Sequence, residues 1–154
     1  MRIVESSGKK VSDLIGFIPK VNGQLDSKII KNADDFSKYF KTSPKGLISN
    51  KFEDYLTNSL HGEGSFKTRI PTTGTREFDG KLGNVWWEAK SGNFWTKCTS
   101  TEKGFGDFRG LMGERKKIAD GHGATLEVFS NTPIPDVVKE WLTEKGIPFT
   151  EILF

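Results

Sequence analysis

Apolar and polar residues recur along this chain in patterns that predict a series of helices and strands. Apolar positions at helical spacing predict one helix from Asp26-Ser27 to about Phe40 and another from about Leu47 to Leu60. Runs rich in aromatic and β-branched residues predict strands. Later predicted elements are strands at 65–70, 76–82 and 85–90, a helix at 105–120, a strand at 124–130, a helix at 135–145 and a strand at 147–154. This order is typical of an α/β fold, in which helices flank a small central mixed sheet.

The beginning of the chain differs in composition from the rest. Residues 1–25 are rich in Gly, Ser and Lys around one apolar patch, which predicts a loosely ordered arm. Residues 26–154 are predicted to form a single domain whose core begins at about residue 45 and carries an N-terminal helical extension. A chain of 154 residues is long enough to bury such a core without disulfides.

Several classes of protein are disfavoured by composition. Cys98 is the single cysteine, which excludes an internal disulfide and a zinc site built on several thiolates. No apolar run approaches the ~20 residues of a membrane span. The N-terminus lacks the apolar stretch of a secretory signal, so an exported protein would need a longer parent chain to carry the address.

Positive charge is modest overall, at a net +3, so its distribution along the chain matters more than its sum. A predicted polar loop at 92–106 interleaves aromatic residues with lysines, and the helix at 105–120 has a basic outer face opposite Phe108, Leu111, Met112 and Ile118. Rings can stack on unpaired bases while cations meet phosphates. The candidate nucleic-acid-binding residues are Trp95, Lys103, Arg109, Arg115, Lys116 and Lys117. The alternatives are that Trp95 anchors the loop and that the basic face is only solvated.

The stretch from Arg76 to Gly92 carries the candidate chemistry. Its turn at Leu82-Gly83-Asn84 predicts a tight hairpin. Side chains alternate along a strand, so Glu88 and Lys90 share one face while Val85, Trp87 and Ala89 take the other. The hairpin could bring Asp79 beside Glu88, and two carboxylates next to a lysine are suited to a divalent cation. The alternative is a surface ion pair between Glu88 and Lys90, which would add little stability.

These residues carry a family resemblance. Asp79, eight intervening residues and then Glu88-Ala89-Lys90 resemble the Asp…(Asp/Glu)-x-Lys signature of the PD-(D/E)xK, or restriction-endonuclease-like, nucleases. The flanking residues are similar to the nuclease toxin domains at the C-terminal tips of bacterial polymorphic and contact-dependent inhibition toxins. The resemblance covers roughly residues 45–154 in element order. Gly80 departs from it, because many relatives carry an apolar strand residue there.

The resemblance implies a restriction-endonuclease-like core and a metal-dependent endonuclease. Asp79, Glu88 and the backbone carbonyl of Ala89 would hold the metal, and Lys90 would assist hydrolysis of the phosphodiester. Oxygen ligands favour Mg²⁺, with Mn²⁺ or Zn²⁺ as alternatives. A glutamate of the preceding helix often completes such a site. Glu53 is the residue that matches it.

The sequence leaves the additional acid and the number of metal ions open. Glu63, between two glycines just before a strand, competes with Glu53 for the role of additional acid. The alternative for Glu53 is a solvated helix glutamate. One metal ion or two also cannot be decided from sequence.

The resemblance also carries expectations about biology. The domain would be secreted as part of a larger toxin, act in the cytosol of a target bacterium and be blocked by a cognate immunity protein. Toxin domains of this kind include both DNA and RNA cutters, several of which act on transfer RNA. The modest basic surplus and the aromatic-rich loop favour RNA over DNA as the substrate. The alternatives are a DNase of the same fold, a metal-free ribonuclease using His61 and His122 as acid and base, and a non-catalytic binding module.

Overall fold

The structure is a computed structural model that describes residues 20–21, 24–25, 27–32 and 39–154. Helices and strands alternate along most of this range. In chain order the elements are β1 (Lys20–Val21), β2 (Gln24–Leu25), β3 (Lys28–Ile30), α1 (Asn50–Leu60), β4 (Phe66–Thr68), β5 (Arg76–Phe78), β6 (Gly80–Leu82), β7 (Val85–Lys90), α2 (Phe94–Thr99), α3 (Glu102–Gly121), β8 (Thr125–Ser130), α4 (Asp136–Lys145) and β9 (Phe149–Ile152).

A five-stranded mixed sheet forms the centre, in the order β3-β9-β8-β7-β6. β3, β9, β8 and β7 run parallel to their neighbours, while β6 pairs antiparallel with β7 as the other arm of a hairpin. β4 and β5 form a separate antiparallel pair, as do β1 and β2. The predicted α/β fold with a small mixed sheet flanked by helices is confirmed.

Two apolar clusters cover the two faces of the sheet. Trp86 of β7 packs with buried residues of α2, α3 and α4 on one face. Val85 and Trp87 pack on the other face with the buried stripe of α1, which consists of Phe52, Leu56 and Leu60. The alternation predicted along β7 is therefore confirmed, because neighbouring side chains of a strand enter opposite clusters. Crossover connections between parallel strands account for the helices.

The helix predicted from Asp26-Ser27 to about Phe40 is wrong over its first turn. Lys28–Ile30 is a strand that pairs parallel with β9, and Ile30 is fully buried. Ser27 does not cap a helix there, since its Oγ accepts a hydrogen bond from Phe149 N at 3.2 Å. The β-branched pair Ile29-Ile30 suits an edge strand as well as a helix. Residues 33–38 of that prediction lie outside the described range, as does almost all of the predicted arm at 1–25 except β1 and β2.

The loop predicted at 92–106 is also wrong. It contains the short helix α2 and the start of α3, and Thr101 caps α3 by accepting a hydrogen bond from Gly104 N at 2.9 Å. Polar composition suggested a loop, but Trp95 and Cys98 both reach the core from one face of α2. In this segment a narrow apolar stripe was enough for a packed helix.

Smaller differences occur at element boundaries. α1 begins at Asn50 rather than Leu47, and Ile48 is exposed rather than part of the buried stripe. Leu111, predicted to lie inside, is 51% exposed. The hairpin turn lies at Gly83-Asn84 as expected, with Gly83 at a positive φ of 58°. No helix of the described residues is both long and apolar enough to cross a membrane.

Candidate active site

Asp79 occupies a bend between β5 and β6, at the point where the antiparallel pairing with β7 ends. Its backbone N donates to the carbonyl of Trp87 at 3.0 Å, and its Oδ2 accepts a hydrogen bond from Ala89 N at 2.8 Å. The register of β6 against β7 stops at the pair Gly80 and Trp87. The carboxylate therefore satisfies a backbone donor that the hairpin leaves unpaired, and this contact fixes the side chain beside the signature residues.

The backbone of β7 presents oxygen atoms to both of its edges. The carbonyl of Lys90 accepts from Asn131 N at 3.4 Å, on the β8 side. Because backbone carbonyls alternate edges along a strand, the carbonyl of Ala89 faces the opposite edge, where Asp79 lies. Asp79 and the Ala89 carbonyl are thus neighbours at the open end of β7.

Glu88 and Lys90 lie side by side on the face of β7 that is covered by α3. The distance from Lys90 Nζ to Glu88 Oε1 is 3.7 Å, and that from Arg115 Nε to Glu88 Oε2 is 3.5 Å. Arg115 Nε also donates to the Glu77 carbonyl at 3.0 Å. α3 thus holds one cation against a glutamate that is only 5% exposed.

Glu53 reaches the same place from α1. The start of that helix is tied to the end of β7, because Ser49 N donates to Ser91 Oγ at 2.9 Å. Glu53 lies in the first turn of α1, where its charge interacts with Asp79 and with Lys90. Glu63 is placed differently, since its backbone pairs with that of Lys81 on the other strand of the hairpin.

Burial and nearby charges raise the pKa of all three acids. Burial, followed by the Asp79 carboxylate, raises the pKa of Glu88 to about 7, although Lys90 and Arg115 act in the opposite direction. Burial and the charges of Asp79 and Glu77 raise the pKa of Glu53 to about 7. Burial raises the pKa of Asp79 too, against the lowering effect of the Ala89 amide. Such a cluster of raised pKa values is common at functional sites, because like charges held together in a cleft resist ionisation.

The cluster is rich in oxygen atoms, but it is not a closed metal cage made of side chains. Among the described residues, no group donates a hydrogen bond to the buried Glu88 Oε2, although Arg115 Nε lies 3.5 Å from it. In the part of the chain that the structure describes, no three His, Cys, Asp or Glu side chains are arranged to hold a metal ion. A site here would consist of two carboxylates and a backbone carbonyl, and it would leave positions for water and substrate.

Trp95, a candidate for stacking on bases, belongs to the core. It is 3% exposed, and its Nε1 donates to Ser130 Oγ at 2.9 Å. Its ring packs edge-to-face on Phe94 and Phe108. The structure therefore agrees with the alternative in which Trp95 anchors its segment. The buried ring of Trp95 is not available to stack on a base.

The basic candidates of α3 occupy three kinds of position. Lys103 and Lys116 make ion pairs one turn along the helix, with Asp107 at 2.9 Å and Asp120 at 2.8 Å. Arg109 and Lys117 are exposed, and the Arg109 guanidinium lies over the Phe105 ring at 4.6 Å. Arg115 belongs to the acidic cluster. Exposed i,i+4 pairs are weak, so a phosphate could compete for Lys103.

The two histidines have local structural partners. His61 closes α1 in a left-handed conformation, with φ at 55°. His122 Nε2 lies 2.8 Å from the Arg69 carbonyl and 3.4 Å from Thr68 Oγ1, and its ring packs on Trp86. These contacts account for both residues as helix-end groups.

Sequence reasoning missed how three residues serve this site. Arg115 was expected to meet phosphates, yet it pairs with Glu88; Glu77 adds charge and a carbonyl; Ser91 positions α1. The sequence indicates that Arg115 lies on the basic helix after the strands. It does not indicate that Arg115 pairs with Glu88, because 26 intervening residues separate the two positions.

Comparison of the chain with protein-family models, with characterised proteins and with solved structures gives no match. The geometry of the site is therefore the basis for assigning a function.

Proposed function

We propose that this chain is a metal-dependent endonuclease that hydrolyses phosphodiester bonds. One observation carries the proposal: Asp79, Glu88 and Lys90 lie together at the open end of β7, and the charges of Asp79 and Lys90 act on Glu53 of α1. A purely structural ion pair would need only Glu88 and one cation. Burial and neighbouring carboxylates raise the pKa of Glu88 and Glu53, so their ionisation destabilises the fold, and a ligand that offsets their charge supplies a reason for the arrangement.

The carboxylates of Asp79 and Glu88 and the carbonyl of Ala89 are the groups that would hold a divalent cation. Their fit is supported by the buried Glu88 Oε2 atom, which accepts no hydrogen bond from the described residues. Hard oxygen ligands without histidine or cysteine favour Mg²⁺ or Mn²⁺ over Zn²⁺. A cation bound there would offset the charge that builds on the phosphate during attack and lower the pKa of a water.

The chain's own residues have distinct roles in this proposal. Lys90 orients the attacking water and stabilises the negative charge that develops on the phosphoryl oxygens. Glu53, whose pKa is raised to about 7, is suited to accept a proton at physiological pH. We therefore assign the role of general base to Glu53, the additional carboxylate of the site. Arg115 lies against Glu88 Oε2 and favours the ionised form of Glu88, which partly opposes the rise in its pKa. Arg109 and Lys117, exposed on α3, would meet the backbone of the substrate.

The proposal extends to substrate and setting through the resemblance of the signature stretch to the toxin nucleases. RNA, with transfer RNA among the candidates, is the proposed substrate, and DNA is the alternative. The domain would act in the cytosol of a target bacterium as the tip of a larger secreted toxin. A cognate immunity protein would then cover the cleft, and inhibition by such a partner is the expectation to test once activity is found.

The first experiment incubates the purified protein with total RNA and with plasmid DNA, in Mg²⁺ and in EDTA. Mg²⁺-dependent cleavage is expected, and EDTA should abolish it. Lys90→Ala should lower the rate by about 100-fold or more, the usual scale for removing a group that acts in the transition state. Lys145→Ala, the same change at an exposed position of α4, should cleave at the wild-type rate.

Other outcomes point to the rival functions. RNA cleavage that persists in EDTA but is lost in His61→Ala or His122→Ala would support metal-free acid–base catalysis and contradict the metal site. Tight nucleic-acid binding without any cleavage, unaffected by Lys90→Ala, would indicate a binding module. Circular dichroism of each variant should show a fold like that of the wild type, so that lost activity reports on chemistry.

A further inference from the structure

A cavity of about 360 Å³ opens between α2 and α3, directly beside the signature residues. Glu88 and Lys90 form one wall of it, and Arg115 forms part of the same wall. The remaining lining residues come from the two helices. Those that matter for the ligand are Phe94, Lys97, Asp107, Phe108, Leu111 and Met112.

Part of the cavity lining is apolar and partly aromatic. Phe94 and Phe108 lie with ring centroids 5.9 Å apart, and Met112 is buried next to them. Leu111, half exposed on α3, adds an apolar side chain to the lining. This volume lies at the low end of the range of small-molecule sites, about 300–1,000 Å³, and suits one flat ring system rather than a larger body.

The charged groups of the cavity suit an anion attached to that ring system. Lys90, Lys97 and Arg115 contribute three cations, against the carboxylates of Glu88 and Asp107. Lys90 Nζ also lies 4.5 Å from the Phe94 ring centroid, so the cationic and aromatic groups are adjacent. A ligand with an apolar planar part and a phosphate next to it matches both features, and a nucleotide has this chemistry.

We infer that this cavity takes one unpaired base of the nucleic acid, next to the phosphate that Asp79, Glu88 and Lys90 act on. This inference rests on the proposed function and deepens it by naming the substrate class: single-stranded or unpaired polynucleotide. A base inside a duplex must leave its stack and its partner before it can enter such a pocket, which costs free energy. Duplex is therefore a poor substrate, and an unpaired base at the cleavage site is an element of recognition.

The test uses end-labelled oligonucleotides, as RNA and as DNA, in three forms: single-stranded, fully paired, and single-stranded with one abasic nucleotide moved along the strand. The wild-type protein should cut the single strand at least about tenfold faster than the duplex. An abasic nucleotide next to a cleavage site should slow that cut by about 5- to 100-fold, the scale of one lost base–aromatic contact. Equal rates for intact and abasic strands would overturn the inference.

A pair of matched variants addresses the pocket itself. Leu111→Ala shortens an exposed apolar side chain of the cavity on a helix where alanine is favourable, so the fold is expected to survive. It should slow cleavage of the single strand several-fold and reduce the effect of the abasic nucleotide. Val137→Ala makes a similar change on the exposed face of α4, away from the cavity, and should behave as wild type. A Leu111→Ala variant that keeps the full abasic effect would contradict the inference.

Binding separates the failure of this inference from the failure of the proposed function. Fluorescence anisotropy of the wild-type protein with the same oligonucleotides in EDTA measures recognition without cleavage. Weaker binding of the abasic strand, with no cleavage in Mg²⁺, would support the base pocket and contradict the proposed nuclease activity. Cleavage in Mg²⁺ that does not depend on an unpaired base would support the proposed nuclease activity and contradict the base pocket. The absence of both binding and cleavage would overturn both.

Discussion

At the scale of single residues, Asp79 connects the fold to the candidate chemistry. Its Oδ2 satisfies the Ala89 amide, and its negative charge then lies beside Glu88 and Glu53. A hydrogen bond from a backbone amide favours the ionised carboxylate, but burial opposes ionisation more strongly. The residue is therefore held in place by the strand edge whether or not a cation is bound, which makes the cluster preorganised.

The raised pKa of Glu88 predicts how stability depends on pH in EDTA. Between pH 4.5, the ordinary value for this group, and about 7, the folded protein binds more protons than the unfolded chain. The free energy of unfolding should therefore fall as the pH rises through this window and level off above it. Glu88→Gln should remove much of this slope, a difference on the order of 2 kcal/mol between pH 5 and pH 8. Urea denaturation at a series of pH values measures it.

The control for that series is Glu144→Gln, the same chemical change on the exposed surface of α4. Its curve should run parallel to that of the wild type. A Glu88→Gln curve that is also parallel to the wild type would show that the buried carboxyl group is not the source of the slope.

At the scale of elements, the hairpin of β6 and β7 depends on glycine for a packing reason. A Cβ atom on Gly80 would lie 2.6 Å from the ring of Trp87, and one on Gly62 would lie 2.7 Å from the same ring. Trp87 is fully buried beneath α1 and the hairpin. Gly80, which departs from the pattern of the resembled family, is thus explained by the bulk of the tryptophan that it faces.

Gly80→Ala is therefore expected to destabilise the protein. Insertion of one methyl group against a fully buried ring forces a shift of the strand, at a cost of about 1–3 kcal/mol. Gly64→Ala is the matched control, because nothing lies within 4 Å of its added Cβ and it should be nearly neutral. Thermal unfolding compares the two variants. Equal melting temperatures would show that the sheet adapts to the added methyl group.

At the scale of the whole molecule, the sheet separates two cores and leaves the acidic cluster between them. α1 covers one face, and α2, α3 and α4 cover the other. Among the described strands, the end of β7 beyond Trp87 is paired with β8 alone. Neither core can bury a charged group without a partner, so the cluster collects at the strand edge, where water and a ligand have access. Its members span residues 53–115, so the site exists only in the folded chain.

A cation that binds this cluster should stabilise the whole fold. At pH 8 the wild-type protein is expected to melt several degrees higher in excess Mg²⁺ than in EDTA, since a ligand of the folded state at 100 times its Kd adds about 2.7 kcal/mol. Asp79→Asn should lose the shift. Lys90→Ala should keep or enlarge it, because a competing positive charge is removed. Calorimetry of the three proteins measures this without any substrate, and a wild-type shift of zero would contradict the metal site.

The candidate site was partly predictable because its core is local. Glu88 and Lys90 are two residues apart, and strand alternation alone places them on one face. The approach of Asp79 followed from the turn at Gly83-Asn84, which is also a local signal. The roles of Ser91, Arg115 and the α2–α3 cavity could not be predicted, because each depends on the distance between elements far apart in sequence.

The same division holds for the fold. The sequence by itself determined the alternation of helices and strands after residue 47, the hairpin turn and the spacing of the signature residues, because periodicity and turn chemistry act between near neighbours. Tertiary structure decided that Lys28–Ile30 pairs as a strand with β9, that 94–99 is a helix with Trp95 in the core, and that Leu111 stays half exposed beside a cavity. In each of these cases local preference was weak, and burial and pairing with distant residues set the outcome.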